Sequence, residues 1–163
     1  MTEQNLDRRH FNVDATTGTV KSGPNPSTTG VSRGYTSLVH THFNSSRQRG
    51  SYHIRTPFKV GAGTPSEMYH FTVKGYAYGN RAIIDAIVVG YAYKYGNIYS
   101  PNVSDKSKRA TVTQYVGSDK HIYIKVNTAN NYYMTLSVES MYVGNGRVVK
   151  EDEMVGQFST TNL

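Results

Sequence analysis

The sequence has 163 residues and no cysteine, and its 18 Lys and Arg residues against 11 Asp and Glu residues give a formal charge of +7. This length fits one domain, which can bury about two-thirds of its surface without covalent staples. The lack of cysteine excludes disulfides and thiolate metal sites. No run approaches the ~20 apolar residues of a membrane helix, and no apolar segment follows residues 1–5 as in a signal peptide. We therefore expect a product of the cytoplasm that does not insert into membranes.

Aromatic residues are mostly tyrosine: the chain has 14 Tyr, 5 Phe and no Trp. Tyr, Val, Ile and Thr favour strands because they suit a pleated, half-buried surface. Strong helix formers are scarce, and 15 Gly with many Asn and Ser favour turns. The composition predicts an all-β protein.

The first 48 residues show little hydrophobic periodicity. Residues 22–30, SGPNPSTTG, are rich in turn formers and cannot build a core. A small hairpin of residues 11–13 with 18–20 is the one element indicated. We expect residues 1–48 to be an extended N-terminal arm that anchors the chain to other proteins, and residues 49–163 to be the folded domain.

From residue 51 onward the apolar residues recur with the period of two that is typical of strands. The predicted strands are 51–57, 67–78, 82–93, 97–100, 110–116, 121–128, 132–143 and 147–150. In the strand 132–143 the residues expected to face inward are Tyr132, Met134, Leu136 and Val138. Short strands joined by Gly-rich and Asn-rich turns predict an antiparallel β-sandwich of jelly-roll-like type. The acidic triplet at 151–153 predicts a surface segment or a short capped turn.

The strand 82–93 is apolar on both faces. Its two sets are Ile83, Ile87 and Val89 on one side and Ile84, Ala86 and Val88 on the other. Such a strand is either central in the domain or has its second face in a subunit interface. If Ile87 lies in the core, aspartate at this position should abolish folding.

Several short motifs resemble a β-rich domain of bacteriophage tail-fibre and virion accessory proteins. They are HIRT at 53–56, FTVKGYAYG at 71–79, Ile84-Asp85 and VGYAY at 89–93, and the resemblance spans about residues 50–143. It implies a trimeric phage particle protein that presents a β-sandwich outward, assembled in the host cytoplasm and located in the virion. The chain has no upstream coiled-coil heptads or shaft repeats of a long fibre. A capsid decoration protein is therefore the alternative to a small fibre component.

A binding surface is predicted around the turns at Gly96 and Pro101, because loops carry function and tyrosine rings stack on sugars and bases. The candidate residues are Tyr95, Asn97, Tyr99 and Asn102, together with the basic cluster Lys106, Lys108 and Arg109. The ligand would be a host surface glycan or protein. A solvated loop is the alternative for the basic cluster. The other positive charges are dispersed, which argues against a nucleic-acid-binding β-barrel, the further alternative.

His40 and His42 would point the same way in a strand and could hold a metal ion, for example as three pairs on a trimer axis. Packed or solvated histidines are the alternative, and the sequence predicts no metal or other cofactor. Asp85 lies inside an apolar strand, but no second carboxylate is placed beside it as glycoside cleavage requires. Motifs for serine hydrolases, zinc proteases and phosphate loops are absent.

These features together predict a non-enzymatic phage virion protein. It would be a homotrimeric fibre component for host attachment, with residues 1–48 bound to other virion proteins of the capsid or tail. The role of Asp85 stays open.

Overall fold

The computed structural model of the protein describes residues 11–13, 20–22, 34 and 36–163, and it describes the backbone alone for 11–13 and 20–22. The strands are β1 (Phe11–Val13), β2 (Val20–Ser22), β3 (Thr36–Asn44), β4 (Ser51–Lys59), β5 (Glu67–Ala77), β6 (Ala82–Ala92), β7 (Ile98–Asp105), β8 (Ala110–Val116), β9 (His121–Thr128), β10 (Met134–Met141) and β11 (Val155–Ser159). Within the described residues, the helices are two short 3₁₀ helices, Tyr78–Asn80 and Glu151–Glu153. Neither is long and apolar enough to cross a membrane.

The strands form two antiparallel sheets that pack face to face, which confirms the predicted β-sandwich. The larger sheet has the order β1-β2-β3-β10-β5-β6-β7, and the smaller sheet has the order β11-β4-β9-β8. β3 pairs with β10 in one sheet and β4 pairs with β9 in the other. This nested pairing of early with late strands is jelly-roll-like. β5, β6 and β7 depart from it, since they follow one another as a meander in the larger sheet.

The core lies between the two sheets and takes alternate residues from their strands. Phe71 and Val73 of β5 are fully buried, as are Ile84 and Val88 of β6. The ring of Phe58 on β4 lies 5.9 Å from the ring of Phe71, measured between centroids, so the sheets meet through aromatic contacts. The predicted alternation in β5 and β6 is confirmed.

The second apolar face of β6 points away from this core. Ile83 and Ile87 are 47% and 40% exposed, although β6 is flanked on both sides by β5 and β7. The condition under which aspartate at position 87 should abolish folding is therefore not met, because the Ile87 side chain does not lie between the sheets.

Residues 36–44 fold as β3, although the sequence predicts an arm over residues 1–48. Val39 is fully buried, and β3 pairs with β10 along its length. The pairing shifts between Leu38 and His40, where β3 carries one extra residue. This β-bulge breaks the period of two in the middle of the strand. A search for alternating apolar residues therefore does not detect this strand in the sequence.

Ahead of β3, the structure describes a short hairpin. β1 pairs with β2, whose residues are 20–22 rather than the predicted 18–20. β2 in turn pairs with the first residues of β3. The rest of the predicted arm before residue 34, and the anchoring role assigned to it, lie outside the described residues.

The C-terminal part differs from the prediction in its last strand. Residues 147–150 are not a strand, and β11 begins only at Val155. The Glu153 carboxylate accepts hydrogen bonds from the Lys150 backbone N–H and the Arg147 guanidinium, each at 2.8 Å. The acidic triplet thus forms a capped turn, one of the two structures predicted for it. The turn supplies hydrogen-bond partners for the local backbone and side chains, and the last strand begins only after it.

Tyr132 does not face inward as predicted. It lies in the turn before β10 and is 38% exposed. Tyr133 has a φ of 47°, so the chain is still turning there and regular alternation begins only at Met134. Met134, Leu136 and Val138 are buried as predicted.

The outer face of the smaller sheet is partly covered by the C-terminal residues. The Leu163 backbone N–H donates to the Tyr115 hydroxyl at 3.1 Å, and the Leu163 carbonyl accepts from Ser118 at 2.9 Å. The same Tyr115 hydroxyl lies 2.7 Å from Nδ1 of His53, which is fully buried.

Candidate functional site

Four tyrosines lie together where β6 turns into β7. We call Tyr91, Tyr93, Tyr95 and Tyr99 the tyrosine surface. The backbone N–H of Tyr93 donates to the Asn97 carbonyl at 3.2 Å, and that of Gly96 donates to the Tyr93 carbonyl at 3.1 Å. Across the two strands, Tyr91 pairs directly with Tyr99. The hairpin register therefore brings the rings to one end of the larger sheet.

The rings of the tyrosine surface contact one another. The Tyr93 ring centroid lies 5.5 Å from that of Tyr91, 4.9 Å from that of Tyr95 and 6.0 Å from that of Tyr99. Aromatic pairs stabilise each other at about 4.5–7 Å. Tyr95 and Tyr99 are 74% and 60% exposed, so their rings are open to a ligand. The surface is thus held in place by its own contacts before anything binds.

Polar groups surround these rings. The Asn145 side-chain amide donates to the Ser66 carbonyl at 2.8 Å and to the Tyr91 hydroxyl at 3.3 Å. The Lys94 ammonium lies 5.3 Å from the centroid of the Tyr95 ring. Exposed ring faces with hydroxyl, amide and ammonium groups at their rim suit a saccharide, whose C–H face stacks while its hydroxyls form hydrogen bonds.

The structure places four of the seven predicted binding residues at this end of the sheet. Tyr95 and Asn97 are in the turn, and Tyr99 and Asn102 are on β7. All four are exposed. The Asn102 backbone carbonyl accepts a hydrogen bond from the Gln114 amide at 3.2 Å, which ties β7 to the smaller sheet.

Lys106, Lys108 and Arg109 lie beyond the other end of β7. Lys106 follows Tyr99 by seven positions, which is about 23 Å along a strand. The Lys108 backbone bonds to Ile83 in both directions at 2.8 and 2.9 Å, and the Arg109 carbonyl accepts from the Asn80 amide at 3.0 Å. The predicted residues therefore form two groups along one strand and not a single site.

β7 is the last strand of the larger sheet and offers little free backbone. Pro101 lacks an N–H, and Ser100 has a φ of 47°. The pairing with β6 also shifts between Val89 and Tyr91. A proline and a bulge at an edge hinder the addition of another strand. A partner at this edge would therefore contact the side chains of β7 rather than extend the sheet through backbone hydrogen bonds.

A second aromatic surface lies at the opposite end of the same sheet face. It consists of Phe43, Tyr76, Tyr78, Tyr132 and Tyr133. The Tyr133 ring lies 4.6 Å from that of Tyr132 and 6.1 Å from that of Phe43. The sequence interpretation missed this surface because it placed Phe43 in the arm and named only Tyr95 and Tyr99 as exposed tyrosines. One signal was present: in β5, Tyr76 shares its face with Lys74, which alternation directs outward.

The bulge in β3 turns His40 and His42 towards the smaller sheet. His40 Nε2 lies 2.9 Å from the Tyr52 hydroxyl, and the His42 ring stacks on the Tyr52 ring with centroids 4.0 Å apart. His42 Nε2 lies 3.0 Å from Oδ1 of Asn44. No group of three or more metal-ligating side chains occurs within the described part of the chain. The pair packs against Tyr52 here.

Histidine burial predicts acid sensitivity. Burial is the main cause that lowers the pKa of His40, His42, His53, His70 and His121 below the ordinary value of 6.5. Because the unfolded chain takes up protons first, stability is complete above pH 6.5 and is lost as the pH falls through the folded pKa values. Glu67, whose pKa burial raises, acts in the opposite direction, but it is one group against five.

We therefore expect the melting temperature to fall between pH 7 and pH 5, measured by circular dichroism at constant ionic strength. His40→Gln should show a smaller fall than the wild type, because one titrating group is removed. A melting temperature that stays constant or rises on acidification would contradict this account. The series stops at pH 5 because Asp105 and Asp119, whose pKa values are lowered, lose their contributions only at more acidic pH.

Asp85 lies on the outer face of β6, opposite Lys74 of β5. Its backbone N–H donates to the Ser107 hydroxyl at 3.0 Å, and its carbonyl accepts from the Lys106 backbone N–H at 2.8 Å. The backbone of Asp85 thus holds the turn between β7 and β8. The side chain is half-buried and points away from the core.

Comparison with known proteins gives no relative of this chain. No protein-family model, curated protein or solved structure matches it. Function therefore has to be inferred from the chemistry of the surfaces described above.

Proposed function

We propose that this protein is a non-enzymatic bacteriophage virion component, a homotrimeric fibre protein that attaches the particle to a glycan on the host surface. The observation that carries the proposal is the tyrosine surface at the end of the sandwich. Its exposed rings, with the Asn145 amide and the Lys94 ammonium beside them, form a platform for stacking and hydrogen bonding. These groups suit reversible binding.

The virion assignment is supported by the resemblance of the motifs at 53–56, 71–79 and 89–93 to phage tail-fibre proteins. Anchoring to the particle would fall to the residues ahead of Thr36, because Thr36–Asn44 is a strand of the sandwich. Three copies in one fibre would display three tyrosine surfaces together. Such display converts weak single contacts into firm attachment.

Tyr99→Ala should weaken glycan binding while leaving the fold intact. Tyr99 is 60% exposed, so its ring contributes to a bound ligand more than to the core. Loss of one stacking ring is worth about 1–3 kcal/mol, which is about a 5- to 150-fold weaker affinity. An array of purified bacterial surface polysaccharides, followed by titration calorimetry on the best binder, measures the effect.

Tyr78→Ala is the matched control, since Tyr78 is 61% exposed on the second aromatic surface. It should bind as the wild type does. A loss with Tyr78→Ala and none with Tyr99→Ala would move the site to the second aromatic surface. If no polysaccharide binds, the attachment role fails, and capsid decoration becomes the better explanation of a virion location.

The nucleic-acid alternative has one observation in its favour. On the outer face of the larger sheet, Lys74 shares a strand face with Tyr76, and Ile83 lies between Tyr76 and Lys108. Cations beside aromatic rings are the combination that single-stranded DNA requires. DNA binding that weakens steeply from low to physiological salt, as counterion release demands, would favour this alternative.

A further inference from the structure

The outer face of the larger sheet is far more apolar than that of the smaller sheet. Apart from the tyrosine surface, its strands expose six large apolar side chains: Leu38, Phe43, Met68, Tyr76, Ile83 and Ile87. In the described part of the smaller sheet, Val155 is the one exposed large apolar residue. Soluble monomers rarely expose a contiguous apolar patch above a few hundred Å². We call the outward side of β3, β10, β5, β6 and β7, without the tyrosine surface, the assembly face.

Strand register makes the assembly face continuous. Across its middle, Ile87 pairs with Thr72, Thr72 with Glu139, and Glu139 with Leu38. Thus one row of side chains crosses four strands with an exposed aliphatic group at each end. Parallel rows lie on either side, since residues two apart on each strand point the same way.

The size of this face is sufficient for a stable contact between proteins. With β7 included, five strands are about 24 Å wide, and four rows are about 27 Å long. The projected area is then about 650 Å², before the relief of the side chains is added. A standard interface takes about 800 Å² from each partner.

The charge of the face indicates which partner fits. The charged side chains on the face are Lys74, Asp85 and Glu139, so it carries one positive and two negative groups. The whole chain carries +7, and Lys106 and Lys108 lie only at the rim. A nearly neutral face is where two copies of a strongly basic chain can meet with the least repulsion.

We infer that the assembly face binds a second copy of this chain. This inference rests on the self-assembly part of the proposed function and names the surface through which assembly occurs. Each copy buries Ile87 and Leu38 in the contact, while the tyrosine surface stays at the end of the sheet.

The test uses the full chain, with light scattering coupled to size exclusion over a range of concentrations. Wild type should give a multiple of 18.2 kDa. Ile87→Asp should dissociate at concentrations where wild type is assembled, with a dissociation constant raised about 30-fold or more, because the charge would be buried in the contact. Its melting curve should remain cooperative. Leu38→Asp on β3 should also dissociate the assembly. If Ile87→Asp does not fold, Leu38→Asp tests the assembly face in its place.

Val155→Asp is the matched control, since Val155 is 50% exposed on the smaller sheet. It should keep the wild-type mass. If Ile87→Asp and Leu38→Asp also keep that mass, or if Val155→Asp dissociates as they do, the assembly face is wrong. A wild-type monomer overturns the face and the proposed trimer together. If the wild type is a dimer and Ile87→Asp dissociates it, the assembly face is supported and only the proposed trimer is overturned.

Discussion

Phe71→Ala should lower the free energy of unfolding by about 3–5 kcal/mol, the range for removing a buried aromatic ring. Phe71 has no exposed surface, and its ring lies 5.9 Å from that of Phe58 and 5.8 Å from that of Tyr69. Alanine would leave a cavity between the two sheets that this rigid frame cannot close. Urea unfolding followed by tyrosine fluorescence measures the change.

Tyr95→Ala is the control for this prediction. Tyr95 is 74% exposed in the turn after β6, so the same kind of truncation should change the free energy of unfolding by only about 0.5 kcal/mol. Similar losses in the two variants would mean that Phe71 is not packed between the sheets.

Gly50→Ala should destabilise the protein by about 2–5 kcal/mol for two reasons that add. Gly50 has a φ of +84°, which L residues rarely adopt. A Cβ at this position would also lie 2.1 Å from the backbone carbonyl oxygen of Ser159. Since Ser159 pairs with Ser51, relief of the clash requires β11 to move away from β4.

Gly63→Ala separates the two contributions. Gly63 has a φ of +81°, but a Cβ there would meet no atom within 4 Å. Gly63→Ala should therefore lower the free energy of unfolding by about 1–2 kcal/mol, which is the cost of the backbone conformation alone. Equal losses at Gly50 and Gly63, measured by urea unfolding, would show that the contact between β11 and Gly50 is looser than described.

The tyrosine surface was accessible from the sequence because its residues are close in the chain. Tyr95 and Tyr99 flank a Gly-containing turn between two strands, so a hairpin alone brings them together. The second aromatic surface was not accessible in this way. It joins Phe43, Tyr76 and Tyr133, which come from separate parts of the chain and meet only because β10 lies between β3 and β5.

The all-β class and the division of the β6 side chains into two alternating sets could be derived from the sequence alone, because a period of two is a local property of each strand. Tertiary structure decided which outward face stayed open. Ile87 and Ile84 are equally apolar, and only sheet packing buries one and exposes the other. It also decided the course of β3, where the bulge before His40 can be recognised only against the register of β10. Pairing between distant strands depends on both partners, so no local pattern specifies it.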